Sequence, residues 1–256
     1  MAPQIVSSLQ DLVIVESWSS RTKDSNITFY FITPDDEVYF GESSKPRVDL
    51  TVEDCNAALL RVDDEEIYPE VPPDVDLTIV PDQLDDNSAY VKRPGLIWYD
   101  TMKGTNFIPT EVLNETLTME NISKSPHPNI VRYYGCCVRR GRITSVLLER
   151  HDMTLQQYVF EPRFGELDKD KFCQGVEFAV QYLHGLGLAH NDINPNNIMI
   201  KDDQPILIDF GSCQPVGKRL QSMGTPGWCD GDSHTSQKKH DIFSLGKLME
   251  WIQNPE

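Results

Sequence analysis

The chain has 256 residues, enough for one domain with a real core plus an appendage but short for two independent domains and a linker. It is 39% hydrophobic and 25% charged, and it contains no run of about 18 apolar residues, which excludes a membrane-spanning helix. The net charge of −17 lies almost wholly in residues 1–90, where 20 acids face 5 bases, and so acidic a front excludes nucleic acid and anionic lipid as partners of that region.

The first residues, MAPQIVSSLQDLVIVESW, lack a basic stretch followed by an apolar one, so no secretory signal is expected and a cytoplasmic or nuclear location follows. The six cysteines form no C-x-x-C pair and the histidines are scattered, which predicts reduced thiols and no zinc site. ITFYFI (27–32) and EVYFG (37–41) predict a β-hairpin across the turn TPDD. From Ser43 to Asp86 the composition is rich in Asp, Glu and Pro and predicts a partly irregular acidic extension, most loop-like at EEIYPEVPPDVD.

AYVK (89–92) reads as a short strand ending in Lys92, and residues 110–122 have helical character. NIVRYYGCCV and TSVLLER predict two strands joined by the basic turn RRGR. Phe172, Val176, Ala179, Val180 and Leu183 recur at helical spacing from Lys169 onward, with Gly185 and Gly187 as stop signals. Ile242, Leu245, Leu248, Met249 and Ile252 mark a last amphipathic helix.

The chemistry concentrates in His190-Asn191-Asp192-Ile193-Asn194-Pro195-Asn196-Asn197 and, twelve positions after Asn197, in Asp209-Phe210-Gly211. The segments 198–201 and 205–208 read as strands about the tight turn Asp202-Asp203-Gln204, a hairpin centred on Asp203. Asn197 and Asp209 are equidistant from that centre and are expected to face each other, two hard oxygen ligands suited to Mg²⁺. Asp192 then opens on the same cavity, where a base accepting a hydroxyl proton belongs.

These motifs resemble those of the protein-kinase superfamily, in the short, degenerate form common in filamentous fungi, and the likeness runs over about residues 88–256. The resemblance implies an α+β, two-lobed fold with a β-rich small lobe and a mainly helical large lobe that is short at its C-terminal end. It implies residues 1–60 as an acidic extension, 61–150 as the small lobe and 151–256 as the large lobe. HPNIVRYYG is similar to the link between the small-lobe helix and the next strand. VLLERHDMTLQQYV is similar to the strand and hinge that hold adenine, which implies Leu148 as gatekeeper and Glu149 and His151 as backbone contacts to the base. AYVK is similar to the strand carrying the phosphate-binding lysine, here Lys92, with Glu115 as its ion-pair partner and Glu111 or Glu120 as alternatives. DIFSLG resembles the segment whose Asp, here Asp241, braces the catalytic loop.

By that resemblance Asp192 is the catalytic base, Asn194 stands where the family has a lysine, and Asn197 and Asp209 are the metal ligands. The implied activity is Mg²⁺-ATP-dependent phosphoryl transfer to a Ser or Thr of a protein, with a pseudokinase acting as a nucleotide-binding or scaffold module, or a small-molecule kinase, as alternatives. The pattern departs from the family at several points. No G-x-G-x-x-G loop precedes Lys92, so weaker ATP binding or another cover is expected. Asn191 replaces the Arg that pairs with a phosphorylated loop, GTPGWCD has no A-P-E after it, and either the large lobe is a minimal one or the apolar face of Phe243, Leu245, Leu248, Met249 and Trp251 is covered by another copy or a partner.

Overall fold

The computed structural model describes residues 4–18, 25–81, 88–220, 224–230 and 234–255. In chain order its main elements are β1 (Val13–Trp18), β2 (Ser25–Ile32), β3 (Val38–Ser43), α1 (Val52–Ala58), β4 (Leu60–Arg61), α2 (Asp64–Ile67), β5 (Ala89–Lys92), α3 (Tyr99–Met102) and α4 (Phe107–Ser123). There follow β6 (Tyr133–Arg139), β7 (Arg142–Glu149), α5 (Leu155–Tyr158), α6 (Lys169–Gly185), β8 (Leu188–Ala189), β9 (Ile198–Lys201), β10 (Gln204–Leu207), β11 (Gln214–Pro215) and α7 (Lys238–Trp251). Among the described residues no helix is long and apolar enough to cross a membrane. The chain gathers into two compact units that are each discontinuous in sequence: residues 1–73, 93–110 and 138–144 in one, and 74–92, 111–137 and 145–256 in the other.

The first unit is built on the sheet β1-β2-β3-β4, with β2 and β3 forming the expected hairpin in the register Ile32↔Val38. Alternation along β2 sends Ile27 and Phe29 into a core with Val6, Leu12, Leu50, Cys55 and Leu59. At the hairpin turn Asp36 has φ 59° and is 2% exposed, a position Asp tolerates better than most residues. It pairs with Arg93 at 2.8 Å and Arg139 at 3.1 Å and accepts from Thr144 Oγ1 at 2.8 Å, which offsets the cost of burying its charge.

The segment expected to be irregular is more ordered than its composition predicts. A capping box joins Thr51 and Asp54 at the start of α1, and the acids of its first turn suit the positive end of the helix. Ile67 and Tyr68, inside the stretch read as most loop-like, are fully buried. Two large apolar anchors are enough to fix an acidic segment whose average composition hides them.

In the second unit β5, β7 and β6 form a sheet in that order, with Lys92 opposite Val146 and Ala89 opposite Glu149. β5 is therefore an outer strand, and Tyr90 and Val91 on it are exposed. The α6 stripe is buried as expected, and Gly175 permits β10 to approach it: a Cβ there would lie 2.7 Å from Pro205 Cγ. Helix α7 packs on α6 and β8 through a face different from the one expected. Leu245, Leu248 and Ile252 are buried, but Ile242, Phe243 and Met249 are exposed, and His240, Asp241 and Ser244 complete the inner face. The polar residues are inside because they bond to buried backbone, which apolar periodicity alone cannot register.

Candidate functional site

The hairpin of β9 and β10 has the register Lys201↔Gln204 and Ile198↔Leu207, closed by the two-residue turn Asp202-Asp203 with φ 49° and 59°. The expected three-residue turn centred on Asp203 is thus corrected by half a residue. A two-residue turn with both φ positive matches the twist of the strands it joins, and that preference outweighs the symmetry argument. Asn197 consequently faces Ile208, whose N–H donates to the Asn197 carbonyl at 2.9 Å, and Asp209 lies one residue beyond the ladder with φ 60°.

Lys92 at the end of β5 reaches two carboxylates. Its Nζ donates to Glu115 Oε1 at 2.5 Å and to Asp209 Oδ1 at 2.8 Å, and the Phe210 N–H donates to the same Glu115 oxygen at 3.2 Å. Burial alone would lower the Lys92 pKa, but Glu115 and Asp209 outweigh it and raise it, so the amine is cationic. Burial likewise pushes the Asp209 carboxyl up, but Lys92 and the Gly211 N–H bring it below the usual carboxylate range. Of the two alternatives to Glu115, Glu120 bonds elsewhere, to Thr78 and Tyr133. Glu111, one turn before Glu115, has its pKa pushed up to about 7 by burial and then by the Glu115 charge.

Asp192 is held by three donors. Its Oδ1 accepts from the Thr225 N–H at 2.7 Å and from Asn194 Nδ2 at 3.2 Å, and its Oδ2 accepts from Asn197 Nδ2 at 3.0 Å. The loop beneath is fixed by one buried carboxylate: Asp241 accepts from the N–H of His190 at 2.9 Å and of Asn191 at 2.8 Å and bonds to His184 at 2.8 Å. Asn191, at φ 64°, spends its amide nitrogen on Ala189, Ser212 and Ser236 and is 3% exposed. Asn194 is also buried and bonds Thr225 Oγ1 at 3.1 Å.

A cleft of about 270 Å³ is lined by Tyr90, Lys92, Val131, Leu148, Glu149, His151, Met199, Ile208 and Asp209. It brings together five of the residues expected from sequence and adds Val131, Met199 and Ile208 as apolar walls. The Glu149 N–H is engaged by the Arg132 carbonyl at 2.8 Å. The donor chemistry suits a hard divalent cation: Asn197 commits its amide nitrogen to Asp192, which leaves its oxygen, and Asp209 is an anionic carboxylate. Among the described residues no group of three His, Cys, Asp or Glu side chains could hold a metal alone, so phosphate oxygens and water would complete the shell.

Sequence reasoning noted GTPGWCD as a stretch but did not anticipate that its Gly224 and Thr225 touch the loop carrying Asp192. Gly224 has φ 74°, and a Cβ on it would lie 2.7 Å from the Asn191 carbonyl, so the Gly-Thr pair was a readable signal.

A lysine joined to a helix glutamate and a loop aspartate, in the same unit as a braced Asp192, is an arrangement of the α+β kinase fold. Residues 99–252 match the family model described as protein kinase domain, more than half of the chain, and the chain belongs to the protein kinase family. Lys92 lies outside the matched range.

The chain is similar to the serine/threonine-protein kinase/endoribonuclease IRE1 of Hypocrea jecorina, 32% identical over 166 residues, which cover 57% of this chain and 12% of that protein. It is 33% identical over 150 residues to the serine/threonine-protein kinase/endoribonuclease IRE2 of Homo sapiens, covering 49% and 16%. To the serine/threonine-protein kinase STE20 of Saccharomyces cerevisiae it is 29% identical over 146 residues, covering 54% and 15%. The chain thus spans less than a fifth of the length of these relatives.

Proposed function

We propose that this chain transfers the γ-phosphoryl group of ATP to the hydroxyl of a Ser or Thr side chain in a protein. The observation that carries the reading is the meeting of Lys92 with Glu115 and Asp209, in the same unit as an Asp192 aimed by three donors. Ser/Thr as acceptor is supported by the names of the relatives, and the residues themselves require only a hydroxyl.

In this reading 61–150 is the small lobe and 151–256 the large one. Leu148, Glu149 and His151 border the base and Lys92 contacts the phosphates. Asn197 and Asp209 would hold Mg²⁺, which when bound neutralises charge on the phosphates. Asp192 accepts a hydrogen bond from the incoming hydroxyl and takes its proton as the bond to the γ-phosphorus forms and the bond from that phosphorus to the bridging oxygen of the departing ADP breaks. Asn194 and Thr225 keep that carboxylate pointed at the acceptor.

A second reading, a nucleotide-binding scaffold without turnover, is favoured by one observation, the outer position of β5 with no strand paired on its free side among the described residues. Two measurements separate them. Mg²⁺-ATP at about 100 times its Kd should stabilise the fold by about 2.7 kcal/mol in a thermal-shift titration, and no stabilisation would remove both readings. Incubation with labelled ATP and mixed protein substrates should label protein, and Asp192→Ala should cut that labelling by about 10²–10⁴-fold while sparing the thermal shift. Equal labelling by wild type and variant would eliminate the proposed mechanism, and a shift without labelled protein would leave the scaffold or a kinase of small molecules.

A further inference from the structure

The carboxylate of Glu115 is useful only if α4 is held at the right rotation and height, and the residues that hold it come from α4 itself, from β6 and from the segment ahead of β5. Residues 74–80 lie in the same unit, and 78–80 run along the edge of β6. Val80 N–H donates to the Cys136 carbonyl at 2.9 Å, Cys136 N–H donates to the Thr78 carbonyl at 2.8 Å, and Ile79 forms a parallel bridge with Cys136. From this segment Thr78 grips α4: its N–H donates to Glu120 Oε1 at 2.6 Å and its hydroxyl to Glu120 Oε2 at 3.1 Å. Tyr133 on β6 donates to Glu120 Oε1 as well, at 2.9 Å. One carboxylate thus ties three elements.

Glu120 is five residues after Glu115, which places it roughly 140° around the helix. The grip is on the far side of α4 from the residue that meets Lys92, so it sets the rotation of that residue. Elsewhere the segment stands off the helix: a cleft of about 570 Å³ lies between them, lined by Leu77, Leu117, Asn121 and Lys124 among others. The Thr78–Glu120 pair therefore carries much of the connection. Gly135 makes room for it. Its φ is 142°, and a Cβ there would lie 2.4 Å from both the Thr78 carbonyl oxygen and Val80 Cγ2.

We infer that residues 74–80 are a built-in strap that holds α4 in the rotation at which Glu115 meets Lys92, with Thr78, Glu120 and Gly135 as its positioning residues. The strap makes the ion pair a property of the folded chain, needing no phosphorylated segment. Its catalytic consequence rests on the kinase reading above, but its effect on the position of Glu115 does not.

Amide hydrogen exchange reads that position directly, because the Phe210 N–H donates to Glu115. Glu120→Ala in the full chain should speed exchange at the Phe210 amide by about tenfold, and Glu120→Gln, which keeps an acceptor oxygen for Thr78, should restore protection. Thr78→Ala, which removes only the hydroxyl, should show the same change in smaller degree and keeps the test open if Glu120→Ala fails to fold.

In turnover, Glu120→Ala should lower kcat/KM about tenfold or more in the wild-type background and add no further loss on top of Glu115→Ala. Unchanged protection of Phe210 in both strap variants would overturn the inference, and so would equal losses in the two backgrounds. The exchange result decides the strap even if the wild-type chain turns over no ATP.

Discussion

Two parts of the site are assembled in different ways. The catalytic loop and hairpin, from His190 to Gly211, supply Asp192, Asn197 and Asp209 from about twenty consecutive residues, and short-range bonds set much of their geometry, Asn194 and Asn197 to Asp192 and Gly211 to Asp209, with Thr225 and Asp241 as two supports from farther along the chain. The part around Lys92 depends on distant contacts: Lys92 must find Glu115 and Asp209 across 23 and 117 positions. Local geometry survives the loss of family motifs, since neighbours along the chain cannot drift apart. Long-range geometry must be held by extra contacts wherever a motif such as the glycine loop is missing.

If that contrast is right, the largest effect comes from the residue shared by both parts. Asp209→Ala should abolish Mg²⁺-ATP stabilisation in thermal-shift experiments and leave Lys92 with one partner, and retention of a full shift would break the comparison. Asn194→Ala tests the local part alone: Asp192 loses one of three donors, so kcat should fall about tenfold, the worth of one hydrogen bond to a charged group, with KM for ATP unchanged.

The distant part carries a pH signature. Burial pushes the Glu111 carboxyl up to about 7 from an ordinary value of 4.5, so the folded state binds its proton more tightly than the unfolded chain does. Stability from this group is present at low pH and is lost as pH rises from about 4.5 through about 7. Tm measured across that window should fall less steeply for Glu111→Gln than for wild type. The smallest effect belongs to the turn: Asp202→Asn replaces an acid at positive φ by a residue that tolerates it better, and should change stability by about 0.5 kcal/mol or less in denaturant unfolding, with turnover unaffected.

The same contrast explains what was legible in the sequence. The β2–β3 hairpin, the buried stripe of α6 and the strand ending in Lys92 were readable because period and turn chemistry are local signals. The pairing of Lys92 with Glu115 was also anticipated, from resemblance rather than from spacing. The hairpin at Asp202-Asp203 was placed half a residue off, since turn length was inferred from symmetry and the backbone preferred two positive φ values. The inner face of α7 was misassigned because Asp241 and Ser244 are buried for their hydrogen bonds, and polarity conceals burial. Helix α1, Tyr68 and the strap were invisible within a run of Asp, Glu and Pro, where one capping box and a few apolar residues decide the outcome.

The dependence of the catalytic loop on Asp241 has a consequence for how the chain comes to life. The backbone of His190 and Asn191 takes its bonds from a residue about fifty positions later, on α7. A nascent chain that has left the ribosome only as far as residue 230 already contains Asp192, Asn197 and Asp209, yet lacks the carboxylate that accepts from the N–H groups of His190 and Asn191. Maturation should therefore be a single late event, with competence for nucleotide chemistry arriving together with the docking of that helix rather than accumulating during synthesis.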